Sequence, residues 1–309
     1  VRGARITGRG RRRQGDGRDA GWRARGGRLS ETAASEQWRT ILSGDDPGLR
    51  WLRATWRRVP GTPRCKVCAA PFQGPARLLA RLALHGRSPL NPLMCGMCMR
   101  ALRRHPGGAE ITGSVLFADV RGSTGIAERR PPAEYRRLLQ GFYALATAAI
   151  ERRGGILDKF LGDGVMALYV PLTAGRGHAA QAIDTARDIL GDLRRAGGGL
   201  ADLGVGCGVH TGEMFVGALG TDDRLDFSAL GDTVNVAARL GSLAEPGRLL
   251  AGLAAWEAAG RGAPEGVVRR QVVSGRDTPL DVVHLELTPD AGSRVPAGAA
   301  GPPPAQPTR

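Results

Sequence analysis

The sequence predicts an α+β fold, with helices laid over a sheet that contains antiparallel strands. Three observations predict it. From residue 111 onward, short apolar runs alternate with segments of helical period. Gly162-Asp163-Gly164 stands between two apolar runs and reads as a hairpin turn, which makes part of the sheet antiparallel. A long segment opened by Pro131-Pro132 places Tyr135, Leu138, Leu139, Phe142, Leu145 and Ala149 on one helical stripe.

Residues 1–29 are rich in Arg and Gly and poor in apolar side chains, and are expected to form a disordered basic tail. Residues 30–63 read as two short amphipathic helices. Ser30 caps the first, with Ala34, Trp38, Ile41 and Leu42 on one face. Asp46-Pro47 opens the second, with Leu49, Leu52 and Trp56 at helical spacing, and Val59-Pro-Gly-Thr-Pro63 ends it. The pair is either a packing unit or a dimer-forming handle. Residues 64–104 form a cysteine-bounded module with room for a short helix at 75–86.

The main domain is expected at 111–287. Val115–Val120 is its first strand and Pro132–Arg153 its long helix. Ile156–Leu161 and Val165–Val170 are two strands around the Gly-Asp-Gly turn. Gly177–Arg195 is a second helix. Val205–His210 and Met214–Leu219 read as two separate strands, and Asp232–Leu243 as a helix. Val267–Val273 and Leu280–Leu287 close the domain. Residues 288–309, rich in Pro and Ala, are expected to be a second disordered tail.

Bulk properties narrow the function classes. A chain of 309 residues holds one or two domains with a well-buried core. No apolar run reaches the length of a membrane span, and no secretory core opens the chain, so a soluble cytoplasmic protein is expected. The net charge of +15 is concentrated in residues 1–110, which carry 23 Lys and Arg against 7 Asp and Glu; the remainder carries 21 against 22. The basicity therefore lies outside the main domain, and a solvated tail explains it better than a nucleic-acid or anionic-lipid tether.

Chemistry first shows in two carboxylates. Asp119 ends an apolar strand, and Asp163 lies in the Gly-flanked turn. Each alone is ordinary turn chemistry. If their strands are neighbours, the two acids meet at one sheet edge and suit a pair of divalent metal ions over a nucleoside triphosphate. Asp119 is followed by Arg121-Gly122-Ser123-Thr124, a small-residue loop entering a helix, whose backbone N–H groups suit a polyphosphate.

Four ordered motifs carry a resemblance over about residues 111–287. They are Phe117-Ala-Asp-Val-Arg-Gly-Ser-Thr124, Asp158-Lys-Phe-Leu-Gly-Asp-Gly164, Gly208-Val-His-Thr-Gly212 and Leu230-Gly-Asp-Thr-Val-Asn-Val-Ala-Ala-Arg239. The chain resembles the class III nucleotidyl cyclase catalytic domain. The resemblance implies a ferredoxin-like, palm-type core with helices over a mixed, largely antiparallel sheet, working as a wrapped homodimer with active sites at the subunit boundary. It implies that Asp119 and Asp163 bind two Mg²⁺ or Mn²⁺ ions per site, and that the ribose 3′-oxygen attacks the α-phosphorus to close a 3′,5′-cyclic phosphate.

The resemblance also assigns groups that one subunit lends to the other's site. Lys159, otherwise a solvated charge, matches the position that donates to a purine acceptor such as adenine N1. Ser228 matches the second base-reading position, where its hydroxyl accepts from the adenine amino group. Guanylyl cyclases typically carry Glu and Cys at these two places, so the pair points to ATP. Asn235 and Arg239, four apart on one helix face, match the residue that orients the ribose and the donor to the α-phosphate. Two positions depart from the pattern: Ser274 stands where a phosphate-gripping base is common, with Arg276 nearby, and Glu213 where some relatives carry Arg. Cys207 and His210 read as structural.

Cys65-Lys-Val-Cys68 and Cys95-Gly-Met-Cys98 offer four thiolates, the ligand set of one structural Zn²⁺, with an Fe–S cluster or a dithiol switch as alternatives. The segment resembles a zinc-ribbon-like unit that precedes some bacterial cyclase domains, with a regulatory partner left open. The expected protein is a homodimeric adenylate cyclase. Its rivals are a guanylate cyclase, a non-catalytic nucleotide-binding regulatory module, and a nucleic-acid-binding protein with steeply salt-dependent affinity.

Overall fold

The computed structural model describes residues 31–197, 199–221, 224–273 and 278–286. The expected tails at 1–29 and 288–309, the cap at Ser30, and Ser274, Arg276 and Leu287 lie outside the described residues.

The chain opens with α1 (Glu31–Leu42) and α2 (Pro47–Arg57), followed by α3 (Arg77–Leu82) and α4 (Gly96–Arg104). Asp46 caps α2 through its side chain, which accepts from Leu49 N at 2.6 Å, and Pro47 occupies the first turn. Next come β1 (Gly108–Val120), α5 (Ser123–Arg129), α6 (Pro132–Arg152), β2 (Ile156–Leu161), β3 (Gly164–Tyr169), α7 (Pro171–Ala174) and α8 (His178–Arg195). The chain continues through β4 (Val205–Thr221), β5 (Arg224–Leu230), α9 (Asp232–Leu243), β6 (Arg248–Gly252), α10 (Leu253–Ala258), β7 (Val267–Gln271) and β8 (Leu280–Glu286).

One sheet runs in the order β2-β3-β1-β4-β6-β8-β7, with β5 paired to the far part of β4. Every pairing is antiparallel except β4 with β6. The mixed, largely antiparallel sheet expected from the motifs is therefore present.

Strand side chains alternate between two cores, as a period of two demands. Leu116, Ala118, Val165, Ala167 and Tyr169 face α6, α8 and α10, where Phe142, Ile150, Ile183, Ile189 and Trp256 bury them. Ile111, Val115, Met166, Leu168 and Val216 face the other way, against Leu42, Met99 and Leu102 of α1 and α4. Helices thus cover both faces. On α6 the buried stripe includes Leu138, Phe142 and Ala149 as expected, but also Ala146 and Ile150, while Tyr135, Leu139 and Leu145 are only half-buried.

The two strands expected at 205–210 and 214–219 are one. Strand β4 runs unbroken through Thr211-Gly212-Glu213, with Gly212 paired to Gly113. Gly212 is no turn residue: a Cβ there would lie 2.6 Å from Thr233 Oγ1, so the glycine makes room for the start of α9. Gly208 makes the same allowance further down, where a Cβ would lie 2.0 Å from Gly241 N. Strands β5 and β6 and helix α10 had no counterpart in the sequence reading.

Candidate functional site

Strand pairing brings the two acids together. Asp119, the penultimate residue of β1, lies opposite Gly164 of β3. Asp163 sits just before Gly164 in the turn, and its carbonyl accepts from Val120 N at 3.2 Å. Both side chains are partly open to solvent, Asp119 at 30 %. Arg121, which the sequence reading left without a role, makes an ion pair with Asp119 and donates from its other guanidinium nitrogen to Ser242 O at 2.6 Å. Tyr143 donates its phenol proton to Gly162 O and pins the turn. Burial, then the neighbouring Tyr135 and the charge of Asp163, push the Tyr143 phenol up. Two carboxylates carried at neighbouring backbone positions offer the hard oxygen donors that Mg²⁺ or Mn²⁺ prefers, and an incoming cation would take over the charge that Arg121 now balances.

Gly122, in the left-handed conformation at φ 64°, leads into α5, so Ser123 and Thr124 occupy its first turn. Across the sheet, Asn235 and Arg239 are one turn apart on α9, Asn235 exposed and Arg239 half-buried. The start of α9 is held to β4 by Thr233 Oγ1, which donates to Glu213 O at 2.6 Å.

Lys159 on β2 and Ser228 on β5 are brought together by a third residue, Asp158. Its Oδ2 accepts from Ser228 Oγ at 2.6 Å and lies 3.3 Å from Lys159 Nζ. Lys159 is 44 % exposed, whereas Ser228 is 1 % exposed. Asp158 stands inside a motif the sequence singled out, yet nothing local marked it as the link. Two residues of the cysteine-bounded segment touch the strand that carries Ser228: Lys66 Nζ donates to Phe227 O at 3.0 Å and Asn91 Nδ2 to Asp226 Oδ1 at 2.6 Å.

The four cysteines converge. Their Sγ atoms all lie within 4.8 Å of one another, with Cys65, Cys68 and Cys95 buried and Cys98 half-buried. None forms a disulfide. Backbone N–H groups of Cys95 and Cys98 donate to Cys65 Sγ at 3.3 Å and Cys95 Sγ at 3.4 Å. Burial opposes the Cys65 thiolate, but hydrogen bonds from Cys68, Cys95 and Cys98 outweigh it and hold that thiol well below the ordinary range. Cys68 and Cys98 are pushed up, chiefly by bonding to Cys65. Four sulfurs in a closed, mostly buried group fit a tetrahedral soft or borderline cation such as Zn²⁺. His85, absent from the sequence reading, lies with Nδ1 3.3 Å from Cys95 Sγ and 3.5 Å from Cys68 Sγ. Only its position between the two Cys pairs could have drawn attention to it.

Cys207 is fully buried in β4, where burial pushes its thiol up to about 12, in keeping with a structural role. Among the described residues, no helix is long and apolar enough to cross a membrane.

The model of the adenylate and guanylate cyclase catalytic domain matches residues 110–254. An adenylate cyclase of Anabaena cylindrica is 36 % identical over 134 residues, covering 42 % of this chain and 27 % of that protein. Adenylate cyclase 1 of Rhizobium meliloti is 33 % identical over 133 residues, covering 41 % of this chain and 20 % of that protein. The chain thus spans about a quarter of the length of the curated relatives it matches. Among solved structures, the guanylyl cyclase Cya2 superposes with a TM-score of 0.54 at 27 % identity, covering 58 % of this chain and 93 % of that one. The adenylyl cyclase CyaB from P. aeruginosa gives 0.53 at 24 % identity, covering 59 % and 97 %, and speaks for the fold alone.

Proposed function

We propose that this chain, which carries an adenylate and guanylate cyclase catalytic domain over residues 110–254, converts ATP to 3′,5′-cyclic AMP and pyrophosphate as a homodimer. The observation that carries the reading is the meeting of Asp119 and Asp163 across the β1–β3 pair.

In this reading Asp119 and Asp163 hold two divalent cations, which when bound supply positive charge at the ribose 3′-oxygen and along the triphosphate. Backbone N–H groups of Gly122, Ser123 and Thr124 face the polyphosphate. A second subunit lends Lys159 and Ser228 to the purine edge, Asn235 to the ribose and Arg239 to the α-phosphate. The 3′-oxygen loses its proton to solvent and bonds to the α-phosphorus; the bond from that phosphorus to the bridging oxygen breaks, and pyrophosphate leaves with the electron pair. Arg239 matters most as negative charge builds on the α-phosphate oxygens. The cysteine cluster, in the module at 64–104, is read as a structural zinc site.

The choice of ATP rests on polarity. Ser228 gives its proton to Asp158, so towards a ligand its oxygen accepts, and Lys159 donates. An acceptor beside a donor matches the amino group and N1 of adenine. The structural likeness to the guanylyl cyclase Cya2 keeps GTP as the second reading.

The test is to incubate the purified chain with ATP or GTP and Mg²⁺ or Mn²⁺, and to measure cyclic nucleotide and pyrophosphate, with elemental analysis of the same sample. Asp119→Ala and Asp163→Ala are each expected to reduce turnover by about 10²–10³-fold, the scale seen when a transition-state charge partner is removed. Full activity in either variant would refute the assignment.

A further inference from the structure

Lys66 joins the cysteine cluster to the strands that bear Lys159 and Ser228. It sits in the first Cys-x-x-Cys turn, directly after Cys65, and its side chain is 1 % exposed. Its ammonium lies 2.8 Å from Asp226 Oδ1, 3.0 Å from Phe227 O, 3.1 Å from Asp158 O and 3.4 Å from Asp158 Oδ1. Two of these acceptors belong to β2 and two to β5, so one cation clamps both strands. Three ammonium protons meet four acceptors, which is how a buried charge becomes tolerable. Asn91 Nδ2 reinforces the seat by donating to Asp226 Oδ1 at 2.6 Å. From behind, Arg53 of α2 donates to the carbonyls of Lys66 and Val67 and holds the turn in place.

Asp158, which Lys66 grips through its carbonyl and Oδ1, also accepts from Ser228 Oγ through Oδ2, and Ser228 is shut away from solvent. Lys159 beside it stays open. A purine edge approaching these strands meets the ammonium of Lys159 but not the hydroxyl of Ser228. Lys66 itself borders a cleft of about 900 Å³, shared with Arg57, Tyr143, Leu157 and Phe160, so there is open space next to its seat.

We propose that the cysteine module is an autoinhibitory gate on nucleobase recognition, and that Lys66 is its pin. With Lys66 seated between Asp158 and Asp226, the base-reading pair is half-closed; withdrawal of Lys66 exposes Ser228 and completes it. Because Lys66 adjoins Cys65, any change in the geometry of the cluster is transmitted to the pin. The inference rests on the reading of Lys159 and Ser228 as the purine-side groups.

The test uses the full chain as wild type, Lys66→Met and Asp226→Asn. Binding of the Mn²⁺ complex of 3′-deoxy-ATP, which lacks the attacking hydroxyl, is followed by calorimetry, and amide exchange is followed over 224–230. If the open form is populated one time in five or less, Kd should fall by about fivefold or more in Lys66→Met and in the same direction in Asp226→Asn. Exchange over β5 should rise in both. Asp226→Asn keeps the experiment decisive if Lys66→Met does not fold, because it weakens the clamp from the exposed side. Unchanged or weaker binding in a folded variant overturns the gate. Cyclic product from wild type, reduced about 10²-fold or more in Asp119→Ala, alongside equal Kd in all three chains, rejects the gate while leaving the cyclase reading intact. Absence of both product and binding in every chain overturns the cyclase reading, and the gate with it.

Discussion

Ser228 shows how much a single hydroxyl depends on its neighbours. The sequence supplies the hydroxyl; Asp158, seventy residues away, decides that it donates inward and accepts outward. Lys159 adds the complementary donor. Exchanging both for Glu and Cys reverses the order of donor and acceptor, which matters for turnover only if the two read the base as proposed. Lys159→Glu with Ser228→Cys should therefore lower the ratio of kcat/KM for ATP over GTP by about tenfold or more, since unpaired polar groups then fall to the adenine complex. A ratio unchanged within error would remove these two residues from base selection. The acid pair was legible from the sequence because both Asp residues stand in short motifs flanked by glycine. Lys66, Asp158, Asp226 and His85 were not, because each acts through a partner distant in the chain, and no local spacing records such a contact.

Strand β4 is the element on which the site depends most. It pairs β1 from Val205 to Gly217, β5 from Phe215 to Thr221 and β6 in parallel, and α9 packs against it at Gly208 and Gly212. The sequence suggested two strands, Val205–His210 and Met214–Leu219, where the structure has one. Gly208 and Gly212 mark where α9 presses on the sheet. Gly208→Ala sets a methyl against the backbone of Gly241, which no rotamer change relieves. It should destabilise the fold by about 3 kcal/mol, the upper end for overpacking, as read from the midpoint of urea unfolding. A shift of less than about 0.5 kcal/mol, ordinary for a surface change, would mean that α9 is not held where the structure places it. Asn235 and Arg239 ride on that helix, so their placement inherits its fit to β4.

The whole molecule is a sheet with helices on both faces, one of them covered by the N-terminal helices α1 and α4. If two copies share their active sites, an Asp119→Ala chain mixed with an Asn235→Ala chain should recover up to about a quarter of wild-type activity per dimer, the statistical yield of one whole site in half of the pairs. Either variant alone should stay about 10²-fold or more below wild type, and no recovery on mixing would argue against sites built from two subunits. Acid should also loosen the fold. Burial lowers His178, and burial followed by repulsion from Arg269 and Arg248 lowers His284. Both stay neutral in the folded chain and take up a proton on unfolding once the pH is below about 6.5. Stability is complete above that value and declines as pH falls towards the folded-state values. The urea midpoint should be lower at pH 5.5 than at 7.5, and His178→Asn should flatten the slope; a midpoint independent of pH would contradict it.

The strand–helix alternation, the helix starts at Pro47 and Pro132, the hairpin that carries Asp163, and the pairing of the cysteines by Cys-x-x-Cys can all be read along the chain. All of these are written in spacing, in the fixed φ of proline or in the period of apolar residues, and each is readable within a short window. The continuity of β4, the burial of Ser228 and the clamping of β2 and β5 by a lysine from the cysteine turn emerge only once the chain has folded. Those outcomes depend on which surfaces meet after the chain has folded, and a buried charge is settled by the acceptors gathered around it rather than by its neighbours in the chain.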